Sequence, residues 1–98
     1  MVWVAVQHDR IVGGLVLILR GGYGVIANVA VDPIAKGQGL GRALMDAAEL
    51  GARQVGLREL RLNTHIDMPA NVHLYEHLGW TETGRSGHKV SMEKMLDD

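Results

Sequence analysis

Val2, Val4 and Val6 alternate with Trp3 and Ala5, the two-residue period of a half-buried strand, and the alternation stops at Gln7-His8-Asp9-Arg10. Ile11 to Leu19 is dense in Val, Ile and Leu and reads as the hairpin partner. Gly21-Gly22 turns the chain into a third strand, Tyr23 to Val31, which Asp32-Pro33 stops. After a glycine-rich stretch, Leu40, Leu44, Ala47, Ala48 and Val55 recur at helical spacing, and Gly56 is placed to end that helix. Leu57 to Thr64 follows as a strand whose apolar side chains are Leu57, Leu60 and Leu62. Asp67-Met68-Pro69 then opens a second helix, with Asp67 or Met68 as its cap and Pro69 in its first turn. Leu74 and Leu78 are expected to face inward on it, and Gly79 closes it. Trp80 to Arg85 and Lys89 to Leu96 make a final hairpin.

The order is therefore β-β-β-α-β-α-β-β. A strand, a helix and a strand in the middle imply a right-handed parallel crossover, while the flanking hairpins are antiparallel. The expected fold is α/β in the α+β sense. It has two main helices on a mixed, largely antiparallel sheet of about six to seven strands.

Length and composition narrow the function classes. A chain of 98 residues is expected to be a single domain over 1–98, near the lower limit for an independent core. With 47% hydrophobic residues and a net charge of −1, it has the apolar surface to fold and lacks the signature of disorder. It also lacks the basic excess of a nucleic-acid platform, and its aromatic residues (Trp3, Tyr23, Tyr75, Trp80) are too few for a base-stacking surface. The absence of cysteine removes disulfides, thiolate metal ligands and an acyl-cysteine intermediate. The longest apolar run is far short of a membrane span, and no secretory signal is visible, so a cytoplasmic protein is expected.

The stretch Pro33-Ile34-Ala35-Lys36-Gly37-Gln38-Gly39-Leu40-Gly41-Arg42 joins a strand to a helix. Glycines there let the backbone approach a ligand closely, and the amides and dipole of the helix start favour an anion such as pyrophosphate. Two common anion-binding patterns fail. A P-loop needs Lys and Ser or Thr after its last glycine, whereas Arg42-Ala43 follows Gly41; a dinucleotide fingerprint needs Gly-x-Gly-x-x-Gly, whereas Gly37, Gly39 and Gly41 are evenly spaced. A glycine cluster alone is as much a turn as a site.

Its surroundings add more. Asn28-Val29-Ala30-Val31-Asp32-Pro33 followed by Lys36-Gly37-Gln38-Gly39-Leu40-Gly41-Arg42-Ala43-Leu44 resembles the acetyl-CoA-binding signature of the GNAT acyltransferase superfamily. Asn71-Val72-His73-Leu74-Tyr75-Glu76-His77-Leu78-Gly79-Trp80 resembles that family's second signature, in the right order. The resemblance runs from Val2 to Leu96 and implies a GNAT-like fold. There are two departures. Lys36 stands where the family usually has Arg or Gln, which keeps a cation but loses a bidentate fork. The family's usual first strand and two helices, which form much of the amine wall, do not precede Val2. A trimmed fragment and a minimal member both fit that departure.

What the resemblance implies is direct acetyl transfer from acetyl-CoA to an amine, with no metal. Lys36, Gly37, Gln38, Gly39, Leu40, Gly41 and Arg42 would grip the pyrophosphate. Main-chain groups around Val29, Ala30 and Val31 would bind the pantetheine arm, with the Val31 N–H donating to the thioester oxygen. Tyr75 would protonate the departing thiolate, a transfer that a phenol of pKa about 10 can make to a thiolate of conjugate pKa about 8.5. Asn71, one turn earlier, would bond the coenzyme arm. For the general base, His65, Asp67, Glu82 and water all remain open. A strand-end histidine bonded to backbone is the plainer account of His65. His73 and His77 are an i, i+4 pair with no third ligand apparent, and are read as solvated helix residues. A non-catalytic acyl-CoA-binding module and a small interaction domain are the competing classes. Nucleic acid and membrane are not expected partners, and a homodimer is expected because so small a domain leaves apolar surface exposed.

Overall fold

The structure, a computed structural model, describes residues 1–96. Its elements are β1 (Val2–Gln7), β2 (Arg10–Leu19), β3 (Gly24–Val31), a 3₁₀ turn (Pro33–Ala35), α1 (Leu40–Gln54), β4 (Glu59–His65), α2 (Pro69–His77), β5 (Thr81–Ser86) and β6 (Lys89–Met95). Among the described residues six strands form one sheet in the order β1-β2-β3-β4-β6-β5. β3 and β4 are parallel and the other neighbours antiparallel, which is the mixed sheet and central crossover expected from the pattern. Neither helix is long and apolar enough to cross a membrane.

Register shows which face is buried. Leu17, Ile26, Leu62 and Met92 are successive partners across β2, β3, β4 and β6, and all four are buried. Onto this row α1 lays Leu44, Met45, Ala48 and Ala52, and α2 lays Val72, with Trp80 and Leu96 closing the edge. Each fully buried Leu, Val or Met stabilises the fold by ~1.5–3 kcal/mol. The adjacent row, Ile18, Val25, Arg61 and Glu93, lies on the opposite face. Among the described residues no helix covers that face, and Val2, Val4, Val6, Ile11 and Ile18 are exposed.

Both helices end in the same way. Gly56 has φ 85°, its N–H bonds the Arg53 carbonyl at 3.0 Å, and the Leu57 N–H bonds the Ala52 carbonyl at 2.9 Å. This Schellman end consumes Gly56 and Leu57, so β4 starts at Glu59 rather than at Leu57. Gly79, with φ 95°, repeats the motif: its N–H bonds Glu76 at 3.1 Å and the Trp80 N–H bonds Tyr75 at 2.9 Å. The motif's apolar contact is the Tyr75–Trp80 ring pair.

That contact fixes the rotation of α2 and corrects one expectation. Val72 is buried and Tyr75 and Leu78 are partly buried, whereas Leu74, one residue (about 100° of helix) from Tyr75, is 46% exposed. Val55 is likewise exposed, because it is the C-cap of α1 and no longer on the inward stripe. Glu49 of α1 is buried beside Lys94 of β6, with Nζ 2.6 Å from Oε1 but off the direction of a hydrogen bond. Lys94 also donates to the Leu78 carbonyl at 2.6 Å, so one ammonium links β6 to both helices.

Candidate functional site

β3 and β4 remain paired for only three positions, Gly24–Leu60, Val25–Arg61 and Ile26–Leu62. At the same level the β2–β3 register slips: Val16 pairs with Asn28 but Leu17 with Ile26, which leaves Ala27 as an extra residue. A bulge bends its strand and sharpens the local twist, and here it turns β3 away from β4. The gap is a cleft of about 490 Å³. Ala27, Asn28 and Val29 line one wall and Asn63, Thr64 and His65 the other, with Met68, Asn71 and Tyr75 along α2.

Backbone direction follows from the ladder. The Asp32 N–H bonds the Val12 carbonyl at 2.7 Å, so the alternation of an antiparallel pair makes Gly14–Ala30 a hydrogen-bonded pair. Val29 and Val31 therefore turn their N–H groups away from β2 toward the open side. Ala30 spends its backbone groups on β2 and contributes only lining, so of the three candidate residues two offer main-chain donors.

Beyond Val29 a second recess of about 500 Å³ runs to the start of α1. Val29, Met68, Asn71 and Tyr75 line both spaces, so they form one trough. The turn at its far end is set by Asp32, whose carboxylate accepts from the Ile34 N–H at 3.0 Å. Gly37 and Gly39 have φ 84° and 75°. Gly39 is the N-cap of α1 and no side chain caps the helix; the first intrahelical bond is Ala43 N–H to Gly39 carbonyl at 3.0 Å. The amides of Leu40, Gly41 and Arg42 are left without intrahelical acceptors, in the positive end of the helix dipole. Lys36 and Arg42 line the recess, and among the described residues neither has an ion-pair partner. Gln38 departs from expectation: its side-chain oxygen accepts from Gln7 Nε2 at the end of β1, and it does not line the trough.

Tyr75 lies where the cleft and the recess meet. Its ring tilts 60° against Trp80 at 6.2 Å, and the Schellman end locks its backbone. Burial pushes the phenol pKa above its ordinary 10.0, so the hydroxyl stays protonated at neutral pH. Among the described residues that hydroxyl has no hydrogen-bond partner. Asn71, one turn earlier, reaches Met68 Sδ at 3.6 Å and also faces the trough.

The three candidate bases separate. His65 lines the cleft, and its Nδ1 accepts from the Asp67 N–H at 3.2 Å, the strand-end arrangement weighed above. The Asp67 carboxylate is 3.4 Å from the same nitrogen. Glu82 does not reach the cleft. It holds Arg85 through two bonds of 2.8 and 3.0 Å, which keeps its carboxyl pKa below the usual value, in a separate recess with Pro69, Val72, His73 and Glu76. His73 and His77 are exposed on α2. The sequence reading missed His88, which lines the cleft with its ring nearly parallel to that of His65, 4° apart in plane and 5.3 Å between centroids. Pairing the last strand antiparallel to β4 would have brought it there, since Lys89 is the partner of His65.

Residues 1–82 match the family model described as the acetyltransferase (GNAT) domain. The chain belongs to the GNAT acetyltransferases. An IAA acetyltransferase of Azospirillum brasilense is 33% identical over 75 residues, which is 76% of this chain and 49% of that protein. A mycothiol acetyltransferase of Geodermatophilus obscurus is 43% identical over 58 residues, 59% of this chain and 19% of that protein. The PaiA N-acetyltransferase of Thermoplasma acidophilum, solved in complex with coenzyme A, superposes with a TM-score of 0.92 at 20% identity, covering 97% of this chain and 60% of that one. The last likeness shows the fold. This GNAT chain thus spans about half the length of the first relative and less of the second.

Proposed function

We propose that this GNAT domain moves an acetyl group from acetyl-CoA directly to a primary amine. The observation that carries the reading is the trough, which starts at the uncapped amides of α1 and runs past a protonated tyrosine whose hydroxyl has no partner among the described residues. The pyrophosphate would rest on the Leu40, Gly41 and Arg42 amides, with Lys36 and Arg42 supplying positive charge. The pantetheine arm would lie along Val29–Val31 in the place of a missing strand, bonding the main-chain groups that β4 leaves free. Asn71 would hold the arm from the α2 side.

In the reaction, the amine lone pair attacks the thioester carbonyl carbon, and the carbonyl oxygen takes up charge opposite the Val31 N–H. The tetrahedral intermediate collapses by breaking the C–S bond. Tyr75 gives its proton to the departing sulfur and regains one from solvent. The proton lost by the amine leaves to water or to His65, which faces the same cleft. No covalent enzyme intermediate is needed, and the chain has no cysteine to form one.

The test is thiol release from acetyl-CoA across a panel of polyamine, amino-acid, aminoglycoside and peptide amines, with product mass checked. Amine-dependent release is the expected result. Coenzyme binding without any amine-dependent release would instead make this a non-catalytic acyl-CoA module.

A further inference from the structure

We propose that His65, Asp67 and His88 form a binding site for a zinc-class divalent cation at the mouth of the cleft. Their ligand atoms all lie within 4.8 Å of one another. One pair is already at ligand spacing. Two donors each about 2.0–2.2 Å from a tetrahedral metal are roughly 3.3–3.6 Å apart. His65 Nδ1 and Asp67 Oδ2 are 3.4 Å apart, and an ion on Nδ1 would displace the Asp67 N–H that this nitrogen accepts in the metal-free chain.

The backbone beneath these side chains is set by hydrogen bonds. His65 ends β4 in register with Lys89 of β6, and the Ile66 N–H bonds the His88 carbonyl at 2.7 Å. The Asp67 N–H folds back onto the His65 ring at 3.2 Å. The three Cα positions are therefore held by the sheet and its two adjoining turns. All three side chains are exposed, so bringing in His88 takes a side-chain rotation and no backbone movement. The two rings are stacked, 5.3 Å between centroids and 4° apart in plane, so they already lie side by side. A shared ion would need one ring to turn until its in-plane nitrogen faces the other donor.

Donor type selects the ion. Two imidazoles and one carboxylate suit Zn²⁺, Co²⁺, Ni²⁺ or Cu²⁺, and are poor ligands for Ca²⁺ or Mg²⁺, which prefer all-oxygen sets. The fourth position would stay open to water, next to the space where an acceptor would lie. The bound ion would join the β4–α2 turn to the adjacent β5–β6 turn on the β4 side of the cleft mouth. The exposed pair His73 and His77 on α2 offers two ligands, and among the described residues no third lies with them, so it serves as the internal comparison.

The experiment titrates ZnCl₂ into the full chain by calorimetry, follows CoCl₂ by visible absorption, and records melting temperature with and without Zn²⁺. One ion should bind per chain and raise the melting temperature. His65→Gln, Asp67→Asn and His88→Gln should each weaken binding at least about tenfold. Their metal-free circular dichroism should be unchanged, because none of the three is buried. A His73→Gln/His77→Gln double variant should bind like the wild type. No binding at millimolar metal, wild-type affinity in His88→Gln, or loss of binding in the α2 double variant would each overturn the site. Because the titration contains no coenzyme or amine, its outcome is independent of the acetyl-transfer reading.

Discussion

The two ends of the trough are built from different materials. At the α1 end the functional groups are main-chain amides, exposed because Gly37 and Gly39 take left-handed conformations and no side chain caps the helix. At the α2 end the work falls to side chains: Tyr75, Asn71 and the cluster around His65. The difference decides how each end can be broken. A backbone site is damaged only by changing its conformation, and the damage appears in binding. A side-chain site can lose one group while the fold and binding persist, and the damage appears in rate.

The largest expected effect is therefore at Tyr75. Tyr75→Phe keeps the ring and its contact with Trp80 while removing the hydroxyl that faces the trough. Coenzyme affinity should hold while the transfer rate falls about 10²–10⁴-fold, the contribution typical of a general acid. The pH profile follows from the direction of the shift. Burial raises the phenol pKa above 10.0, so the acid is present at neutral pH and is lost only as pH climbs past that value. Wild-type turnover should show its Tyr75-dependent decline above the ordinary phenol range, and the Phe variant should lack it. Wild-type turnover in the variant would leave solvent as the acid and reduce the α2 end to a packing surface.

Next in size is Gly39. An ideal Cβ placed there meets nothing within 4 Å, so the cost of Gly39→Val is conformational: φ is 75°, which a β-branched residue avoids. Relief of that strain would swing the first amides of α1 off the anion. A hydrogen bond to a charged group is worth about 1.5–3 kcal/mol, so coenzyme affinity should fall roughly 10- to 100-fold by calorimetry. Gly22→Val is the control, since that glycine also has open space but no positive φ. Equal affinity in the two variants would place the pyrophosphate elsewhere and remove the contrast between the two ends.

The same contrast explains what the sequence made legible. The glycine turn was readable because its signal is local: a strand stop, spaced glycines and a helical stripe within a dozen residues. The strands and both helix ends were readable for the same reason. Other placements depend on contacts that the pattern of residue types does not show, some of them distant. Gln38 is engaged by Gln7 from β1, and His88 reaches His65 only because β6 lies beside β4. Glu82 was an acid of the right type whose nearer partner, Arg85, takes it away from the cleft. Leu74 was expected inward together with Leu78, whereas the Tyr75–Trp80 contact, a property of the helix end, sets the rotation.

The smallest expected effect tests that rotation. Leu74 is 46% exposed and lines the recess beside Leu40 and Tyr75, whereas Val72, two residues earlier, is 9% exposed within the core cluster. Truncating a buried aliphatic side chain removes its transfer energy and leaves a cavity, so Val72→Ala should cost on the order of 2 kcal/mol. Leu74→Ala removes side chain that is already half in water and leaves no enclosed void, so its cost should stay below about 0.5 kcal/mol. Thermal melts of the two variants give the comparison directly. The Leu74 change should instead appear as a few-fold loss of coenzyme affinity, because the removed methyls face the trough where the arm would pass. If Leu74→Ala proved as destabilising as Val72→Ala, α2 would be turned about 100° from the orientation described. Tyr75 would then leave the trough along with it.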